Sequence, residues 1–252
     1  MIVYLAGFKT IENTYNKNPK DIYLLSSFFE HKTASDIPKF LYQEKHILDS
    51  GAYSTFNNIQ KAKSIDWIEY TKKYIQFIKK TNAKLFFELD IDGVVGLQKV
   101  EYLRKLIEDG VGLQPIPVWH ANRKYDYFLK MCENYKYVAI GTTPVTEEGK
   151  VFRKNPKLMN KFINDAHKNN CKIHGLGFTQ MDLLPYLKFD SVDSTTWIGG
   201  GRYATSYVFI NGKIKSASKP KGMVMKDKGY KDLNLFNFEQ WVKFQKYAEN
   251  NL

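Results

Sequence analysis

The sequence predicts an α/β protein built as a (β/α)8 TIM-like barrel with a C-terminal hairpin and helix, forming one domain over 1–252. Short apolar runs alternate with amphipathic stretches along most of the chain, the pattern of parallel strands covered by helices. About eight such runs in 252 residues suit a closed barrel better than an open sheet. Polar residues, aspartates above all, stand directly after several of the runs, where a barrel carries its active site.

The expected strands are Ile2–Ala6, Ile22–Ser26, His46–Leu48, Leu85–Leu89, Ile116–Trp119, Tyr137–Ile140, Lys172–Leu176 and Ser191–Val192. Ser64–Lys80 has helical spacing, with Ser64 as its N-cap. Leu97–Glu108 repeats the pattern through Val100, Leu103 and Ile107, and Gly110 is expected to stop it. Tyr125–Glu133 and Lys157–Asn169 are two further helices, the second opened by Pro156. Met181–Leu187 is a short one, interrupted by Pro185. Tyr207–Ile210 and Lys213–Ser216 flank Asn211-Gly212, which reads as a hairpin with a type I′ turn. A basic loop, Lys219–Lys228, leads to a final helix, Phe238–Tyr247, expected to pack back on the barrel.

Composition narrows the function classes. No apolar run approaches the roughly 18 residues that a membrane span needs. The N-terminus lacks the pattern of a signal peptide, so a cytoplasmic location is expected. The two cysteines, Cys132 and Cys171, sit outside any C-x-x-C pair, which argues against both a disulfide framework and a cysteine-rich zinc site. No cofactor is expected. A net charge of +12 favours a polyanionic partner, and the 15% aromatic content could serve base stacking or the core.

The strand ends supply the candidate chemistry. His46–Leu48 runs into Asp49-Ser50-Gly51, and Leu85–Leu89 into Asp90-Ile91-Asp92-Gly93 with Glu88 inside it. Ile116–Trp119 ends in His120 and Tyr137–Ile140 in Gly141. Lys172–Leu176 carries His174 and ends in Gly177, and the last strand gives Asp190 and Asp193. Any one of these aspartates could cap a helix or close an Asx-turn. Several at equivalent strand ends would converge and repel, an arrangement tolerated where a shared proton, a cation or a catalytic role compensates. Gly51, Gly141 and Gly177 would let a flat ligand approach the backbone, or simply serve turns. His120 and His174 match no compact metal motif and are expected in the core or behind the reacting groups.

In that order the segments resemble the tRNA-guanine transglycosylase superfamily. Asp49-Ser50-Gly51-Ala52-Tyr53 is similar to its D-S-G-G-F/Y segment, and Phe87-Glu88-Leu89-Asp90 to the strand bearing its base-reading aspartate. Val138-Ala139-Ile140-Gly141 resembles its glycine strand end, and His174-Gly175-Leu176-Gly177 the strand written H-Y-L-M-G-V-G. Phe189-Asp190-Ser191-Val192-Asp193 resembles the strand of the nucleophile, followed by Gly201-Arg202. Ala52 and Ser54 depart from the pattern, and the zinc-binding C-x-C-x-x-C segment is absent. These departures make the chain look more like the short phage and genomic-island members that act on DNA.

The resemblance implies exchange of guanine for a free 7-deazaguanine base, in DNA or alternatively in tRNA. Asp193 is then the nucleophile at C1′ and Asp49 the general acid/base. Asp90 reads the base edge, Tyr53 stacks on the base, Gly141 and Gly177 line its slot and His120 contacts its far side. Arg202, Lys213, Lys215, Lys219 and Lys221 would hold phosphates, or the lysine run is simply a solvated surface. A helper protein that opens the duplex is compatible with this reading. Alternatives are an N-glycoside hydrolase using a carboxylate pair among Glu88, Asp90 and Asp193, or a non-catalytic nucleic-acid-binding barrel. Asp92 and Asp190 are expected to be structural.

Overall fold

A computed structural model of the chain describes residues 1–31, 41, 44–52, 62–141, 147–217 and 227–252, with only the backbone of 147, 148, 201, 202 and 227–230. The strands are β1 (Ile2–Ala6), β2 (Leu24–Ser27), β3 (His46–Asp49), β4 (Val118–Trp119), β5 (Tyr137–Gly141), β6 (Lys172–Leu176) and β7 (Ser191–Ser194). They form one parallel sheet in the order β3-β2-β1-β7-β6-β5-β4, curled into a partial barrel.

Alternation along each strand buries both faces. Val3, Leu5, Leu48, Val138, Ile140 and Val192 belong to the large core under the helices. Tyr4, Ala6, Ile47, Phe87, Val118 and Ala139 fill the concave interior. A strand covered on both sides reads as a near-continuous apolar run, which is why the sequence showed runs rather than alternation.

The expected closed eight-strand barrel is not what forms. Leu85–Leu89 joins its neighbours only through isolated bridges, Leu48 to Phe86 and Phe87 to Ile116. Chemistry explains the missing ladder. Pro115 and Pro117 flank Ile116 and have no N–H to donate. Val118, the next residue with a donor, gives its N–H to the Glu88 side chain at 2.8 Å rather than to a neighbouring strand's carbonyl. On the other side of the run, the Tyr74 hydroxyl lies 3.2 Å from the Leu48 carbonyl and 3.0 Å from that of Phe87, bridging the seam with β3 from outside.

The longer helices are α1 (Trp67–Thr81), α2 (Leu97–Val111), α3 (Tyr125–Asn134), α4 (Glu147–Arg153), α5 (Pro156–Lys168) and α6 (Asp227–Asn251). Asp66, not Ser64, caps α1 by accepting from the N–H groups of Ile68 and Glu69. α2 runs past Gly110 and ends at Gly112, whose φ of 78° suits a left-handed cap. Gly110 instead marks a close crossing, since a Cβ there would lie 2.9 Å from Ile75 of α1. The expected helix at Met181–Leu187 is a series of turns around Pro185.

The hairpin forms as expected, from β8 (Ser206–Ile210) and β9 (Lys213–Ala217). Asn211 and Gly212 both have positive φ, as a type I′ turn requires. α6 is much longer than Phe238–Tyr247 and closes the structure. Phe238, Trp241, Phe244 and Ala248 are buried, and the Gln245 amide donates to the carbonyls of Val3 and Tyr23 between β1 and β2. No helix is long and apolar enough to cross a membrane among the described residues.

Candidate active site at the strand C-termini

Strand alternation decides what faces the mouth. With Tyr4, Ile47, Val118 and Ala139 inside, the residues two further along β3, β4 and β5 point inward at the C-terminal rim: Asp49, His120 and Gly141. Asp193 pairs in register with Tyr4 and shares its inward direction. Asp90 follows Leu85–Leu89, where the chain turns sharply through an Ile91 N–H to Leu89 carbonyl bond of 3.0 Å. Asp90 and Asp193 are each only 7% exposed, so both carboxylates sit in the wall rather than in bulk water.

Asp193 is held by one oxygen. Its Oδ1 accepts from the Gly177 N–H at 2.6 Å and lies 3.2 Å from His174 Nε2. No hydrogen bond reaches Oδ2 among the described residues. Asp49 uses Oδ2 to accept from the Gly51 N–H at 3.1 Å, closing an Asx-turn. Asp90 has Oδ2 3.9 Å from His120 Nε2, while its Oδ1 is buried with no protein partner among the described residues.

The carboxylates interact. Burial, first, lifts the Asp49 carboxyl to about 7; the Gly51 N–H opposes this, and the charges of Asp193 and Glu30 add to it. Burial and then the Asp49 charge raise Asp90 well above the usual carboxylate range. Burial and the Arg123 charge lower the imidazole of His120. Burial therefore favours the protonated form of both Asp49 and Asp90.

Behind it lies a charged network that the sequence did not reveal. Arg123 donates to Glu88 Oε1 at 2.8 Å and to Asp92 Oδ1 at 2.9 Å, and Arg104 Nε lies 3.5 Å from Glu88 Oε2. Burial works against the Asp92 carboxylate, yet the Arg123 hydrogen bond and charge hold it down at about 2. Glu88 is fully buried and committed to these two arginines, so it is unsuited to a catalytic carboxylate pair. Asp190 is likewise engaged, accepting from the Ile173 N–H at 2.8 Å and lying 3.0 Å from His167 Nε2.

The glycines divide. A Cβ on Gly141 would lie 2.3 Å from the His120 ring, so His120, not an incoming ligand, fills the space beside that backbone. Gly51 (φ 65°) is packed against Ser27 and Phe29 and serves the turn. Gly177 (φ 64°) has open space where its Cβ would be, and its N–H already contacts Asp193.

Of the expected phosphate contacts, only Lys213 and Lys215 have described side chains. Lys213 follows the hairpin turn, where Gly212 abuts Tyr247, next to Ala248, whose carbonyl accepts from the Met1 amino group. That is the end where β1 starts, opposite the rim. Lys213 is also bonded to Asp182 at 2.7 Å. Lys215 is exposed two residues further along the same strand. Arg202 lies in the turn Gly199–Tyr203 after Asp193, but its side chain is outside the described residues, as are Tyr53, Lys219 and Lys221 entirely. No group of three or more His, Cys, Asp or Glu residues is placed to hold a metal among the described residues.

No protein-family model matches the chain, and no curated protein matches it. The functional reading therefore rests on the residues themselves.

Proposed function

We propose that the chain is a nucleic-acid guanine transglycosylase that exchanges guanine for a 7-deazaguanine base, in DNA rather than tRNA. One observation carries the reading: Asp49, Asp90 and Asp193 share one rim, with Oδ2 of Asp193 unpartnered among the described residues and the other two carboxyls raised by burial. A nucleophile must stay accessible, an acid/base must titrate near neutrality, and a reader of a base edge must keep a free polar atom. The three aspartates meet these demands separately.

In the proposed reaction Asp193 Oδ2 attacks C1′ as the C1′–N9 bond breaks. The bonding pair leaves with the guanine, whose nitrogen takes the proton carried by Asp49. The incoming 7-deazaguanine returns a proton to Asp49, attacks C1′ and expels the Asp193 carboxylate. Oδ1 of Asp90, without a partner among the described residues, is suited to the adjacent N–H donors of a guanine-type edge. A base within a duplex would have to be flipped to reach a rim in the barrel wall. DNA is favoured over tRNA by the absent zinc segment, and the +12 charge suits either polyanion.

The test offers labelled 7-deazaguanine with DNA or tRNA to the folded protein. Label in DNA supports the reading, and label in tRNA alone moves the substrate. Release of free guanine without exchange indicates a hydrolase. Salt-sensitive binding that survives loss of both Asp49 and Asp193, with no exchange, indicates a binding barrel.

A further inference from the structure

His174 lies in the middle of β6, fully buried, with side chains of three strands around it. Its Nε2 is 3.2 Å from Asp193 Oδ1 and its Nδ1 is 2.5 Å from Ser191 Oγ. Ser191 Oγ is in turn hydrogen-bonded to the Tyr137 hydroxyl. The register explains the line-up: His174 pairs with Ser191 across β6 and β7, while Tyr137, at the start of β5, pairs with Lys172. Tyr137, Ser191, His174 and Asp193 thus form one hydrogen-bonded file running from the barrel floor to the rim.

The geometry assigns this file a direction and a role. It is a fixed relay that makes His174 the positioning residue of Asp193, and it rests on the reading of Asp193 as nucleophile. An ionised carboxylate only accepts, so a neutral His174 must donate from Nε2. Nδ1 is then an acceptor and requires the Ser191 O–H, which leaves Ser191 Oγ to accept from Tyr137. For a neutral His174 beside an ionised Asp193, one arrangement satisfies every atom. Tyr137 keeps its proton, because burial raises the phenol. Two donors, Gly177 N–H and His174 Nε2–H, then occupy Oδ1 of Asp193. Both restrain rotation of the carboxyl, so that Oδ2 is the oxygen presented to the mouth. The tilted contacts of the His174 ring with Tyr4 and Phe87 fix the ring plane, completing the restraint.

Two measurements test the assignment, and only the second depends on the proposed reaction. In the intact protein labelled with 15N-histidine, long-range proton–nitrogen correlation, assigned with His174→Gln, is expected to show a neutral His174 carrying its proton on Nε2. A proton on Nδ1, or on both nitrogens, overturns the direction of the relay. Ser191→Ala and Tyr137→Phe each remove one hydroxyl, and neither residue reaches the mouth. With exchange activity in hand, Ser191→Ala is expected to lower kcat roughly tenfold and to leave KM for the free base within about twofold. Tyr137→Phe should do the same more weakly. Unchanged kcat in Ser191→Ala, at an unaltered unfolding midpoint, overturns the positioning role. If the wild-type protein shows no exchange, the transglycosylase reading fails while the nitrogen spectrum still decides the direction of the file.

Discussion

Arg123 and Glu88 form an ion pair at 2.8 Å with both side chains almost wholly out of solvent. They come from different strand ends, and Asp90 and Asp92 lie within four residues of Glu88. Replacing Arg123 with Met would leave Glu88 and Asp92 buried without their cation. Loss of one partner of such a pair costs about 3–5 kcal/mol. Denaturant unfolding of Arg123→Met is expected to show a loss of that size, with Arg104 too weakly placed at 3.5 Å to make it good.

Stability should depend on the proton at Asp49. Its folded value, about 7, lies above the ordinary carboxylate value of 3.8, so the folded state binds that proton more tightly than the unfolded chain. The contribution is complete below about pH 4 and is lost as pH rises through about 7. Asp49→Asn removes the dependence. Its unfolding midpoint, relative to wild type, is expected to rise by a few degrees at pH 8 and to stay level or fall at pH 4. A difference of the opposite sign would mean that Asp49 is ionised in the folded protein.

Gly141→Ala offers a sharper probe of the rim than any change in charge. The new methyl would occupy the place of the His120 ring, which must swing away from Asp90. Affinity for the free base is expected to fall by about tenfold, with the fold intact by circular dichroism. Gly177→Ala would test something different, because its Cβ meets open space but its φ is positive. Strain of about 1–2 kcal/mol should appear in stability without blocking the mouth.

Asp193→Asn is expected to retain nucleic-acid binding and to abolish any covalent adduct seen on a denaturing gel. An adduct that persists in this variant, and vanishes in Asp49→Asn, would exchange the two roles.

Most strands and the hairpin were legible because buried parallel strands and an Asn-Gly turn leave strong local signals. β1 and β6 match their expected limits to the residue. The exception is instructive. Leu85–Leu89 has the composition of a strand, but its partner is flanked by prolines, and pairing is decided by the partner as much as by the run itself. The rim aspartates were legible as residues standing after strands. Arg123, Ser191 and Tyr137 were not, since a short 3-10 turn and two ordinary strand positions carry no mark of their contacts. Counting inward positions along β5, β6 and β7 would have put Tyr137, His174 and Ser191 on one face. The charge of the hairpin lysines can be read from the sequence, but the end of the barrel that Lys213 decorates cannot.

The two prolines beside Ile116 give the wall of the barrel unequal stiffness. Between β1, β7, β6 and β5 every neighbour is stitched by a ladder, and Asp193 is mounted on that portion. Asp90 and His120 flank the portion held by single bridges and side chains. Backbone amides there should exchange with solvent sooner than those of β1 and β7. The rim then resembles a vice with one fixed jaw and one compliant jaw: on the proposed reading, Asp193 would keep its aim while the face bearing Asp90 and His120 would yield to a base.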